Sequence, residues 1–221
     1  MHRIAIYDLD RTITRVPTWT PFLLHAARTR APWRLLAAPV VVAAMLTYRA
    51  GAIQRRTLKQ IMHRLLVGPL PRAEVDRVAQ AFADGFAKHV YDDARAQIAA
   101  DRADGYRVVI ATAAHRYYAE KIAAGLGIDD VVATDAASDA QGRVTSRIFG
   151  PNCYGADKLA MVQVWMAEQG IEREQAHVRF YSDHVTDAPT FEWSDEPVAV
   201  NPHAKLRMLA AERGWPIRNW R

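Results

Sequence analysis

The chain has 221 residues, half of them hydrophobic and 24% charged, with 11 Gly and 11 Pro, a composition that can bury a full core and excludes disorder, collagen and a disulfide scaffold. Cys153 is the only cysteine, so no internal disulfide forms, which fits a reducing compartment. The net charge of +5 hides a division: residues 11–73 hold 11 Lys or Arg and no Asp or Glu, while the remainder holds 18 basic and all 24 acidic residues. Such a basic stretch suits an anionic partner (a phosphate ester, a nucleic acid or an anionic lipid surface), or is a solvated helix face that uses Arg.

In chain order, Arg3 to Tyr7 (RIAIY) reads as a short buried strand ending at Asp8. Asp8 also interrupts the apolar run that a secretory signal requires, so a cytoplasmic chain is expected. Nearly 100 residues without a strand signal follow. They read as helices at about 18–29, 32–49, 53–66, 72–88 and 94–104, punctuated by Pro17, Pro21, Pro32, Gly51, Gly68, Pro69 and Pro71. Further apolar runs at 107–111, 130–134, 177–181 and 197–200 read as strands, with helices at 118–125, 157–169 and 204–213 between or after them. Strand alternating with helix predicts an α/β fold, a doubly wound, mostly parallel, Rossmann-like sheet, with a helical cap inserted after the first strand. The expected division is a core of residues 1–14 and 92–221 and a cap of residues 15–91.

Leu35 to Tyr48 (LLAAPVVVAAMLTY) is an uncharged run flanked by Arg28, Arg30 and Arg34 on one side and Arg49, Arg55 and Arg56 on the other. It is short for a membrane span, which takes about 20 residues. A helix buried in the cap and a helix lying on a membrane surface with Arg at the headgroups both remain open.

The chemistry-bearing residues follow the strands. Asp8 and Asp10, one residue apart at the end of the first strand, face a crevice if the chain turns there, and such a pair with a third carboxylate makes an oxygen-ligand site for Mg²⁺. Thr112 follows the strand RVVIA, Lys158 opens a helix after Gly155, and Ser182-Asp183-His184-Val-Thr-Asp187 follows another strand. In this order and spacing the four elements resemble the haloacid dehalogenase superfamily, in its phosphoserine phosphatase-like branch with a helical cap.

That resemblance covers nearly the whole chain and implies a Mg²⁺-dependent phosphomonoesterase acting through an aspartyl-phosphate. It matches Asp8 to the nucleophile and Asp10 to the general acid/base. Thr112, Ala113 and Lys158 fall at the phosphate ligands, and Asp8, Asp10 (through its carbonyl) and Asp183 at the metal ligands. Thr12 and Asp187 would support the site, Asp187 alternatively capping the segment before Pro189, and His184 either touches substrate or is structural. Arg11 departs from the Gly that the family usually has after the second Asp, which puts the turn there in question. Cys153 and the tryptophans read as packing.

The cap also resembles that of phosphatidylglycerophosphatase C-type members, which implies a phospholipid-precursor phosphate as substrate and a peripheral seat on the inner face of an anionic membrane. A soluble alcohol phosphate, phosphoserine-like or other, is the alternative, although residues 11–73 offer no carboxylate for an ammonium. A non-catalytic module binding a phosphorylated ligand or an anionic surface is a third reading, against which the retention of both Asp8 and Asp10 counts. No nucleic-acid partner is expected, because Trp19, Trp33 and Tyr48 are scattered rather than interleaved with basic residues.

Overall fold

The computed structural model describes residues 1–221. Ile4, Ala5, Ile6 and Tyr7 follow one another without a polar residue, and all four are completely buried in β1 (His2–Tyr7). A strand apolar on both faces belongs in the middle of a covered parallel sheet. The chain then makes α1 (Trp19–Arg30), a 3-10 segment (Pro32–Ala37), α2 (Ala38–Arg49), α3 (Arg55–Leu66), a two-residue β2 (Leu70–Pro71) and α4 (Arg72–Phe86). From α5 (Asp92–Ala103) onward it alternates: β3 (Arg107–His115), α6 (Arg116–Ala124), β4 (Asp130–Ser138), β5 (Arg143–Phe149), α7 (Ala156–Glu168), β6 (Ala176–Ser182), α8 (Ala188–Trp193), β7 (Glu196–Val200), α9 (Ala204–Arg213) and β8 (Ile217–Arg218).

The strands form one sheet in the order β2-β5-β4-β3-β1-β6-β7-β8, parallel from β4 to β8 and antiparallel at β4/β5 and β5/β2. Alternate residues of each strand enter opposite layers because side chains on a strand alternate between faces. Ile4, Ile6, Val109, Ala111, Val178 and Phe180 pack under α7, α8 and α9. Ala5, Tyr7, Val108, Ile110 and Tyr181 face the other layer, which is continuous with the buried residues of α1, α3, α4 and α6. Phe22 of α1 stacks on Tyr118 of α6 at 4.6 Å and meets Phe82 of α4 edge-on at 5.3 Å, so the inserted helices dock on this layer through aromatic contacts. With β3 on one side of β1 and β6 on the other, the strand order reverses at β1 and opens a crevice at its carboxyl end.

The doubly wound sheet and the inserted helices agree with the sequence reading, and several details differ from it. The helix anticipated over 32–49 is broken: a 3-10 segment runs to Ala37, and Pro39 lies in the first turn of α2, where its missing N–H costs nothing. The insertion contains a strand, because Leu70 and Pro71 pair with Val144 and Arg143 at the sheet edge. β5 itself carried no clear signal: only Val144 and Ile148 of its seven residues are buried. α2 is not a buried helix, since Val41 is its one buried residue while Val40, Val42, Met45, Leu46 and Tyr48 are exposed. No helix is long and apolar enough to cross a membrane.

Candidate active site

Asp8 leaves β1 with its N–H still donating to Tyr181 O at 2.9 Å, so the first carboxylate is fixed to the end of the central strand pair. The chain then turns sharply: the N–H groups of Ile13 and Thr14 both donate to Leu9 O at 3.0 Å. Arg11 takes φ +63 at this turn. The left-handed region costs a residue with a Cβ on the order of 1–3 kcal/mol, and the turn hydrogen bonds hold it there. The question that Arg11 raised in place of Gly is answered by an Arg that adopts the glycine-like conformation. Asp10 is turned toward the insertion, where its Oδ1 accepts the N–H of Thr18 at 2.8 Å. Thr12 is fully buried beneath the loop, and its Oγ1 has no partner.

Thr112 lies inside β3 rather than after it. The β3/β4 register shifts between Thr112 and His115, and this irregularity turns Thr112 and Ala113 into the crevice. Thr112 Oγ1 accepts the N–H of Ala114 at 3.1 Å. Gly155, at φ +62, lets the chain enter α7 so that Lys158 falls in its first turn. The Lys158 side chain is 2% exposed, and its Nζ stands 2.8 Å from Asp8 Oδ1 and 2.6 Å from Asp187 Oδ2. Asp187 also accepts from Ser182 Oγ at 2.7 Å, and its other oxygen is buried without a partner. It caps no helix through its side chain, so the capping alternative is set aside.

These groups line one cleft of about 190 Å³: Asp8, Asp10, Thr112, Ala113, Lys158, Asp183, His184 and Asp187, together with Arg11 and Arg55. Thr12 does not line it. His184 is at the rim, with Nδ1 2.8 Å from Thr186 Oγ1. His115 is not in the cleft: it is buried against Trp19 and Tyr117. Cys153 is buried in the apolar layer beneath.

Charge governs this cleft. Burial, and then the neighbouring Asp8 charge, pushes Asp183 well above the usual carboxylate range. Burial likewise raises Asp8, against the pull of Lys158. For Lys158 burial acts downward, and Asp187 and Asp8 together outweigh it and hold the ammonium above its ordinary range. One ammonium thus faces three buried carboxylates. No three His, Cys, Asp or Glu side chains form a ready-made metal cage. Mg²⁺ needs no such cage, because it keeps several waters and takes one or two carboxylates. Asp8 and Asp183 could supply those two, both all-oxygen donors whose mutual repulsion a dication would relieve, so the residues present fit Mg²⁺.

A family model described as haloacid dehalogenase-like hydrolase matches residues 5–192. The chain belongs to that family. It is 25% identical to a histidinol-phosphatase of Neisseria meningitidis over the full length of both chains. A solved structure of a protein with unknown function from Bordetella pertussis superposes with a TM-score of 0.87 at 27% identity, covering 99% of this chain and 98% of the other. A substrate-bound phosphoserine phosphatase shares the fold, with a TM-score of 0.62 at 16% identity over 94% and 90% of the two chains. Membership and phosphatase homologues support a phosphoric monoester hydrolase.

Sequence reasoning missed several cleft residues. His203 places Nε2 3.2 Å from Asp183 Oδ2, although it lies twenty residues further on. Arg55 reaches the cleft from α3, and Lys59 of the same helix lines an adjoining space together with Trp19, which packs against the core as expected. Lys59 left a trace: it shares the buried stripe 59-62-63-66 of α3 with Met62, His63 and Leu66, at helical spacing where a lysine is out of place.

Proposed function

We propose that this member of the family is a Mg²⁺-dependent phosphomonoesterase that works through an aspartyl-phosphate on Asp8. The observation that carries the reading is the buried bridge from Lys158 to both Asp8 and Asp187, which fixes a carboxylate in a phosphate-sized cleft. Asp8 is the nucleophile: its carboxylate oxygen attacks phosphorus in line with the ester oxygen. Asp10, held through Thr18 and not bound to Lys158, gives its proton to the leaving alkoxide and then takes one from water for hydrolysis of the acyl phosphate. Lys158 and the Thr112-Ala113 turn hold the phosphoryl oxygens. Asp8, Asp183 and the Asp10 carbonyl would hold the metal, with Asp187 and Thr12 in support. Bound Mg²⁺ supplies positive charge that offsets the repulsion between carboxylate and phosphate. In this reading residues 1–14 and 92–221 form the catalytic core, 15–91 the cap, and His184 meets the substrate at the rim.

For the substrate, the exposed apolar side chains of α2 between arginine clusters favour a phospholipid-precursor phosphate such as phosphatidylglycerophosphate, with the cap resting on an anionic leaflet. The full-length similarity to a histidinol-phosphatase supports the alternative, a soluble alcohol phosphate. The test of the reaction is hydrolysis of an aryl phosphate with Mg²⁺ and with excess EDTA, on the wild type and on Asp8→Asn. Turnover that requires the metal and is abolished by Asp8→Asn, with the fold retained, is the expected result; full activity in EDTA or in the variant refutes it.

A further inference from the structure

A second chamber of about 510 Å³ opens from the catalytic cleft, and Asp10, Arg11, Arg55 and Ala113 line both. Its walls are apolar and aromatic: Trp19, Met45, Tyr48, Leu58 and Met62. Set into these walls are cations with no acidic partner. Lys59 is 6% exposed, and its Nζ donates to Ala113 O at 2.5 Å and Asn152 Oδ1 at 3.2 Å, both uncharged acceptors. Arg55 lies over the Tyr154 ring at 4.2 Å and forms no ion pair. Burial, and then the charge of Arg55, lowers Lys59 to about 7. Burying an ammonium beside a second cation is costly unless an anion joins them.

The carboxylates that could have served a cationic substrate are engaged elsewhere. Glu74 is paired with Arg30, and Asp76 with Arg72, and neither lines the chamber. Asp10 is the one carboxylate in its wall, at the junction with the catalytic cleft.

We infer that this chamber receives the leaving alcohol, and that the enzyme prefers an alcohol with an apolar or aromatic body bearing a second acidic group, which Arg55 and Lys59 hold. The inference rests on the phosphomonoesterase reading, in which Asp10, at the junction, protonates that alcohol. Phosphates of amino alcohols without an acid are then poor substrates, since their ammonium would sit between two cations.

Three esters of one shape separate charge from chemistry: 4-(carboxymethyl)phenyl, 4-methylphenyl and 4-(aminomethyl)phenyl phosphate, compared by kcat/KM with Mg²⁺. The acid should exceed the amine on the order of tenfold or more, the size of one charge-assisted pair, with the neutral ester between. In Arg55→Gln, an exposed position on α3, and in Lys59→Met, the acid-to-amine ratio measured within each variant should fall several-fold, whatever happens to absolute rates. A fourth arm, phosphatidylglycerophosphate in mixed micelles, identifies the source of the acid: turnover above the carboxymethyl ester assigns it to a lipid phosphodiester, turnover below it to a soluble acid, and both agree with the charge preference. Hydrolysis of the neutral ester with a ratio near one, or with the amine preferred, overturns the inference while leaving the phosphatase reading intact. Hydrolysis of none of the esters removes both.

Discussion

Lys158 joins two carboxylates that lie 150 and 29 residues away in the chain, Asp8 and Asp187, through hydrogen bonds of 2.8 and 2.6 Å inside the protein. A cation at this point holds together the carboxyl ends of β1 and β6. Lys158→Met keeps the length and loses the charge, leaving two buried carboxylates unpaired. Removing one partner of a buried ion pair costs about 3–5 kcal/mol, and losing a preorganised phosphoryl ligand lowers kcat on the order of 100-fold or more. Urea denaturation and initial rates on an aryl phosphate measure the two losses. A midpoint unchanged from wild type would mean that the bridge does not support the fold.

Asp10 accepts the Thr18 N–H and makes no contact with Lys158, and the proposed mechanism assigns it the proton transfer. Asp10→Asn should retain much of its turnover on a phosphate with a good leaving group, such as 4-nitrophenyl phosphate, and lose far more on an alkyl phosphate, because only the alkoxide needs a proton. The ratio of the two rates is the readout. Equal losses on both would make Asp10 a positioning residue.

His63 is buried against Trp19 and His115, and burial, then the nearby Arg34 charge, lowers it from 6.5 to about 4. The unfolded chain therefore binds a proton at His63 between pH 6.5 and about 4 that the folded chain refuses, and stability falls as pH drops through this window. At pH 5 the loss from this group is on the order of 2 kcal/mol. His63→Phe removes it, so the gap in urea-derived stability between pH 7 and pH 5 should narrow by about that amount relative to wild type. The same gap in both proteins would show that His63 is protonated in the fold.

The apolar face of α2 offers a separation of surface from core that neighbouring valines make sharp. Val42 and Leu46 are 54% and 60% exposed, whereas Val41 is 7% exposed. Val42→Glu with Leu46→Glu should change stability by about 0.5 kcal/mol or less and should weaken sedimentation with phosphatidylglycerol vesicles. Val41→Glu should instead lower the melting temperature by burying a charge. Wild-type vesicle binding should decline as salt rises, because the flanking arginines act through screened attraction. Absence of salt-sensitive binding by the wild type would refute the lipid reading of the cap.

The alternation of strand and helix, the helical insertion after β1 and the position of Asp8, Asp10, Thr112 and Asp183 at or beyond strand ends were legible in the chain, whereas β2, β5 and β8 were not. The reason is local: RIAIY is apolar on both faces, Gly155 and Gly170 bracket α7, and a doubly wound sheet brings strand ends to one side. β5 was hidden because it buries only Val144 and Ile148 of its seven residues, which leaves little periodicity to read. What remained for the tertiary structure was set by partners distant in sequence. Whether α2 is covered depends on how α1 and α3 dock, and an apolar run reads alike whether buried or exposed. Lys59 meets Ala113 and Asn152 across 54 and 93 residues, and those separations carry no local signal beyond a lysine on an apolar stripe. The bare fact of Arg11 after Asp10 did not state its conformation either; φ +63 follows from the hydrogen bonds that close the turn around it.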